Sequence, residues 1–208
     1  MKKSKRIKKS NSWKIKQHRD QFFKKSKILG YRSRASFKLI ELDKKFRFLN
    51  KNCNLLDLGS CPGGWSQVAR DIIISGKIMS VDIKEMEPIK NVKFLKANIF
   101  DEKTKITVLK FFNSKIDVII SDMAADTTGS KSLDSIRTNQ LCADVIHFSK
   151  NTLKPKGVLV SKIFMGEDFI EVKNLAKSIF KKVNFFKPIS SRKESKETYL
   201  HCEILKSL

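Results

Sequence analysis

Asp122 ends one apolar run of this chain, Ile116-Asp117-Val118-Ile119-Ile120-Ser121, and Lys162 breaks another, Val158-Leu159-Val160-Ser161-Lys162-Ile163-Phe164. A lysine in an apolar strand belongs at an edge, at the strand's end, or beside a counter-charge in a pocket. Burial lowers its pKa and a carboxylate raises it again. An Asp122–Lys162 pair would therefore hold an amine able to take up or orient a hydroxyl proton. Lysine is abundant here, so the pair needs support from its surroundings.

That support lies at two other predicted strand ends. The first carries Asp57-Leu58-Gly59-Ser60-Cys61-Pro62-Gly63-Gly64-Trp65, a turn whose glycines permit tight backbone and close approach of a ligand. Its spacing is not that of a dinucleotide loop, and Pro62 stiffens it, which argues against a pyrophosphate cradle. Asp82 ends the second strand, where an acid commonly accepts hydrogen bonds from ribose hydroxyls. Together they describe a pocket for a nucleoside-like cofactor without phosphates, and S-adenosylmethionine fits.

The elements that must position these groups follow from periodicity. Short apolar strands are expected at 54–57, 77–83, 92–96, 116–120, 158–164, 183–186 and 198–205. Helices are expected at 36–48, 65–74, 106–112, 133–153 (stopped by Pro155 and Gly157) and 169–180. Strands alternating with helices indicate an α/β sandwich with a mainly parallel, doubly covered sheet. The last two strands lack an intervening helix, which predicts a terminal hairpin with an antiparallel final strand. One domain over 31–208 preceded by a basic arm over 1–30 is the expected organisation.

Composition narrows the partners. The 208 residues hold 44 Lys+Arg against 21 Asp+Glu, a formal net charge of +23, which points to a polyanion. Residues 1–38 contribute 15 of the basic residues and only one acid, Asp20. Trp13, Phe22, Phe23 and Tyr31 are scattered among these cations, a mixture suited to stacking on unpaired bases while phosphates are neutralised. A passive solvated tail is the alternative. No apolar run reaches membrane-spanning length, and the first residues do not read as a secretory signal. Cys53, Cys61, Cys142 and Cys202 are dispersed, and His18, His147 and His201 lack ligand spacing, so neither disulfides nor a metal site is expected.

The chain resembles the FtsJ family of RNA ribose 2′-O-methyltransferases. The likeness runs through Gly30-Tyr31-Arg32-Ser33-Arg34-Ala35-Ser36-Phe37-Lys38-Leu39, then Asp57-Leu58-Gly59 with Pro62-Gly63-Gly64-Trp65-Ser66-Gln67. It continues through Ser121-Asp122-Met123-Ala124, Lys162-Ile163-Phe164 with Gly166-Glu167, and Ser190-Ser191-Arg192 up to Glu197-Thr198-Tyr199. The resemblance implies a Rossmann-like class I methyltransferase sandwich with a seven-stranded sheet. It carries the catalytic set of that family onto Lys38, Asp122, Lys162 and Glu197, with Lys162 as base for the ribose hydroxyl and Asp122 positioning it. Cofactor contacts are expected from Asp57, Gly59, Pro62, Gly63, Gly64, Trp65, Asp82, Asn98 and Asp122. Asn98 stands where the family usually has an aspartate, keeping a carbonyl acceptor without the charge. Ala125-Asp126-Thr127-Thr128-Gly129 departs from the usual Pro-Asn-x-Ser-Gly.

Arg32, Arg34, Arg192, Lys193 and Lys196 flank the catalytic positions and are expected to grip phosphates. The implied reaction is S-adenosyl-L-methionine-dependent methylation of a ribose, that of a uridine, in 23S rRNA or the large ribosomal subunit. The implied protein is a cytoplasmic monomer that uses no metal. Three alternatives remain: a tRNA methyltransferase, an mRNA-cap methyltransferase, and an RNA-binding relative with an inactive site. A nicotinamide-dependent oxidoreductase would need a phosphate-binding loop that is not present.

Overall fold

The computed structural model describes residues 20–206. Expectations that fall on Trp13, His18 and the first 19 residues of the basic arm lie outside the described residues. In chain order the elements are α1 (Gln21–Ile28), α2 (Ser36–Phe46), β1 (Leu55–Leu58), α3 (Gly64–Ile72), β2 (Ile78–Asp82), β3 (Lys93–Lys96), α4 (Glu102–Phe112), β4 (Ile116–Ser121), α5 (Lys131–Thr152), β5 (Leu153–Phe164), α6 (Phe169–Ile179), β6 (Phe180–Phe186) and β7 (Glu197–Leu205).

The seven strands form one sheet in the order β3-β2-β1-β4-β5-β7-β6. Every neighbouring pair is parallel except those made by β7, which runs antiparallel between β5 and β6. The predicted terminal hairpin is present, but its last strand is inserted into the sheet instead of being added at the edge. That placement is why β7 reads as buried for six residues, from Glu197 to Cys202.

Central strands buried on both faces need apolar side chains pointing both ways, and β1 and β4 supply them. Leu55, Val118, Ile120, Val160 and Tyr199 pack with Leu39 and Leu42 of α2 and Trp65, Val68 and Ala69 of α3. On the opposite face Leu56, Leu58, Ile119, Leu159, Ile163 and Leu200 pack with α4, α5 and α6. The alternation along each strand thus sorts side chains into two cores.

Several boundaries differ from expectation: helix α1 (Gln21–Ile28) is not expected within the basic arm, α4 starts at Glu102 instead of 106, and β6 at Phe180 instead of 183. Helix α5 starts at Lys131, two residues early, because the Ser130 side chain accepts a hydrogen bond from the Leu133 N–H and caps it. Strand β5 starts at Leu153, which pairs with Ile116 before the register shifts to Val118↔Val158. Pro155 and Gly157 are accommodated in that irregularity and do not delay the strand.

The order reverses between β1 and β4, so the loops leaving these two strands diverge and open a crevice at their carboxyl ends. Among the described residues, no helix is long and apolar enough to cross a membrane.

Candidate active site

Period-two alternation carries the core face of three strands straight into this crevice. Val118 and Ile120 lead to Asp122, Val158 and Val160 lead to Lys162, and His201 and Tyr199 lead back to Glu197. Register places Lys162 opposite Tyr199 and Phe164 opposite Glu197. The same face that is apolar below therefore ends in ionisable groups above.

Lys162 Nζ lies 2.7 Å from Asp122 Oδ1 and donates to the Asp122 backbone oxygen at 2.8 Å. The Tyr199 hydroxyl donates to Asp122 Oδ1 at 2.7 Å. Burial alone would push the Asp122 carboxyl up. The charges of Lys162 and Lys38 and the two side-chain hydrogen bonds outweigh it and hold the group below the ordinary carboxylate value. Burial and the neighbouring Asp122 and Glu197 raise the Tyr199 phenol well above its usual value, so it stays protonated and remains a donor.

Lys38 reaches the site from α2. Its Nζ lies 2.8 and 2.9 Å from the two Glu197 oxygens and 5.7 Å from the centre of the Tyr199 ring. Tyr199 in turn packs against Trp65 at 5.6 Å between ring centroids. The opposite ends of the sequence meet because Glu41, one turn after Lys38, accepts hydrogen bonds from the Ile189 and Ser190 N–H groups of the β6–β7 loop. Lys38, Asp122, Lys162 and Glu197 are brought together.

The loop after β1 is shaped by contacts within the protein. Gly59 has φ +70°, and a Cβ there would fall 2.4 Å from Met123 Cγ and 3.0 Å from Met123 Cα. The two strand-end loops of the crevice thus touch at Gly59. A Cβ on Gly63, at φ +107°, would meet Ile89, Arg32 and Met86 near 3 Å. Gly64 lies against Ser33 and Ser36.

Asp57 and Trp65 are placed differently from the expectation that they line a cofactor pocket. Asp57 is fully buried, and its Oδ2 accepts from Ser66 at 2.6 Å, which itself contacts Ser80. Burial raises its carboxyl to about 7. The Trp65 indole is buried in the core, with Nε1 donating to the Ala35 carbonyl. Asp82 stands at the crevice and accepts from the Cys61 and Lys84 N–H groups. Exposed Asn98 accepts from the Phe100 N–H, and the Pro62 carbonyl accepts from Arg32.

Two residues the sequence reading passed over also belong here. Ile83, immediately after Asp82, is 65% exposed, an apolar surface beside a carboxylate. Ser60 is buried with no hydrogen-bond partner for its hydroxyl. Acceptors at the ends of β2 and β4, an apolar flank, an orphan hydroxyl and glycine-lined backbone fit an adenosyl sulfonium at the crevice. In the sequence Tyr199 stands only as the end of the Glu197-Thr198-Tyr199 stretch of the family likeness.

The expected phosphate grip is corrected in part. Arg32 donates to the backbone oxygens of Pro62, Glu87 and Pro88, and its N–H to Gln67 Oε1. Its guanidinium clasps two loops, a demand invisible in the sequence. Arg34 pairs with Asp20 and donates to the Ser190 carbonyl. Phe22 and Tyr31 pack on Phe37, with ring centroids at 5.5 and 5.8 Å, because α1 needs an apolar seat. They are packed within the fold, where an unpaired base cannot stack between them and Phe37. Arg192, Lys193 and Lys196 are exposed, as expected of a rim. A cavity of about 300 Å3 adjoins Lys38 and Glu197, lined by Arg34, Lys38, Arg192, Glu194, Ser195 and Glu197.

Comparison with known proteins identifies the family. Residues 31–204 match the family described as FtsJ-like methyltransferase. The chain is 44% identical over 197 residues to "Ribosomal RNA large subunit methyltransferase E" of Pelagibacter ubique, covering 95% of this chain and 97% of the relative. It is 43% identical to the protein of that name in Rickettsia akari, covering 94% and 89%. A crystal structure of a ribosomal RNA methyltransferase from Plasmodium falciparum superposes with a TM-score of 0.75 at 33% identity, covering 84% of this chain and 98% of that one. On its fold, its site and these likenesses, the chain belongs to the FtsJ-like methyltransferase family.

Proposed function

We propose that the protein transfers a methyl group from S-adenosyl-L-methionine to a ribose 2′-oxygen, that of a uridine, in 23S or large-subunit ribosomal RNA. One observation carries the reading: Lys38, Asp122, Lys162 and Glu197 converge beside the crevice between β1 and β4, with Tyr199 joining the two pairs. The names of the relatives supply the substrate class. With ribosomal RNA as its substrate the protein would act in the cytoplasm, and we read it as a monomer.

When bound, the sulfonium donor supplies an already activated methyl group, so alignment and proton handling are what the protein adds. Lys162 Nζ uses two of its directions on Asp122 and keeps the third for the attacking oxygen. In its amine form it would take up the hydroxyl proton of a ribose whose oxygen receives the methyl group. Asp122 fixes the lysine and stabilises the ammonium that results. Tyr199 fixes Asp122, and the Lys38–Glu197 pair closes the other side of the ribose. Gly59, Gly63, Asp82 and Asn98 lie where the cofactor would be held. Arg192, Lys193 and Lys196 form the phosphate-facing rim.

Incubation with labelled cofactor and either large ribosomal subunits, naked ribosomal RNA or tRNA tests the reading. Label is expected on a ribose of large-subunit RNA. Lys162→Ala should cut transfer by at least about 100-fold while leaving cofactor binding intact. Bound cofactor with all three RNA pools unlabelled would refute the assignment, and label confined to tRNA would redirect it.

A further inference from the structure

Strand β4 ends at Ser121, which pairs with Ser161, yet β5 continues to Phe164. Among the described residues no strand lies beside β5 past Ser161 on the β4 side, and buried backbone groups there need another partner. On the other side β7 serves: Phe164 lies opposite Glu197, and the Met165 N–H donates to the Lys196 carbonyl at 2.9 Å. Successive peptide groups of a strand point to opposite sides, so the Phe164 N–H and C=O face away from β7. Asn139 of α5 meets both. Its Oδ1 accepts from the Phe164 N–H at 2.7 Å, and its Nδ2 donates to the Phe164 carbonyl at 3.0 Å. One side-chain amide thus replaces the missing peptide of β4.

Nδ2 also donates to Asp168 Oδ1 at 2.8 Å, at the N-cap of α6. Asn139 is fully buried, and α5 presses close one turn earlier: a Cβ on Gly166 would fall 2.4 Å from Ser135 Oγ. Lys162 lies two residues before Phe164, on the same strand face. Asp122 lies one residue past the end of β4, so the Lys162–Asp122 pair forms beyond the β4–β5 ladder. There the end of β5 is held by β7 on one side and by Asn139 on the other. Resting on the ribosomal RNA reading above, we infer that Asn139 is a positioning residue for methyl transfer. It fixes the end of β5, and through it Lys162 against Asp122 and Glu197 against Lys38.

Asn139→Ala and Asn139→Leu test this, the second filling much of the same volume without a polar atom. Asp168→Ala is the control, since it removes the Asn139–Asp168 bond and leaves the clamp on Phe164. With labelled cofactor and large-subunit ribosomal RNA, both Asn139 variants should lower kcat about tenfold or more, because small displacements of reacting groups are costly. KM for RNA and cofactor affinity should stay unchanged, and Asp168→Ala should keep the full kcat. In amide hydrogen exchange, Phe164 should lose protection in both Asn139 variants while Met165 retains it. A kcat restored by Asn139→Leu would mark the residue as space-filling and overturn the clamp. Unchanged exchange at Phe164, or an equal loss of kcat in Asp168→Ala, would overturn it too. Thermal melts of all four proteins separate these outcomes from lost folding. If the unaltered protein binds cofactor yet methylates no ribosomal RNA, the substrate reading fails and the positioning role falls with it.

Discussion

At the scale of single residues, the site is an exercise in keeping one carboxylate ionised where burial opposes it. Asp122 is held low by Lys162, Lys38 and the Tyr199 hydroxyl. Tyr199 is a positioning residue in this scheme, since it touches Asp122 and not the reacting atoms. Tyr199→Phe removes a hydrogen bond to a charged group, worth about 1.5–3 kcal/mol. Single-turnover methyl transfer should slow by about tenfold or more, and the acid limb of the rate profile should move to higher pH as Asp122 becomes easier to protonate. An unchanged rate and profile would remove Tyr199 from the scheme. Asp122 and Lys162 were legible as polar groups at the ends of apolar runs. Lys38 and Glu197 were not, because 159 positions separate them and only the meeting of α2 with β7 makes them a pair. They entered through family likeness alone.

The elements show where the sequence misleads. Strand alternation was readable, and it delivered Lys162 and Glu197 to one crevice, with Asp122 one residue past the end of β4. Charges were harder. Arg32 and Arg34 look like free cations in a basic stretch, yet backbone carbonyls and Asp20 occupy them. A residue's solvent exposure is a property of the neighbours folding brings, which no local pattern contains. The glycines of the β1 loop were read as room for a ligand. At Gly59 the structure gives a second reason, contact with the loop after β4. Gly59→Ala would combine φ +70° with a Cβ against Met123 backbone. It should cost about 1–3 kcal/mol of stability and weaken cofactor binding. Urea unfolding and calorimetric titration would read both effects, and an undisturbed variant would show that the two loops do not depend on each other.

At the scale of the whole molecule, two buried titrating groups oppose one another. His201 is fully buried, stacks 3.9 Å from Phe46, and burial lowers its pKa from 6.5 to about 4. The unfolded chain binds that proton first on acidification, so its contribution is full above pH 6.5 and is lost toward pH 4. Asp57, raised from 3.8 to about 7, contributes most below pH 3.8 and loses its effect as pH rises through 7. The two slopes have opposite sign across pH 4–6.5, each spanning on the order of 3–4 kcal/mol. Stability of the unaltered protein should change little over this window. Asp57→Asn should make it climb with pH, and His201→Phe should make it decline. Parallel slopes in both variants would show that neither group carries the predicted linkage.

Inserting β7 between β5 and β6 has a consequence in time. Synthesis runs from the amino terminus, and Glu197 and Tyr199 belong to the strand made after all the others. Until then the nascent chain lacks the carboxylate partner of Lys38 and the hydroxyl that donates to Asp122. The pairing of Lys38 with Glu197 and of Tyr199 with Asp122 therefore forms only after residue 205 has been made and β7 has threaded between β5 and β6.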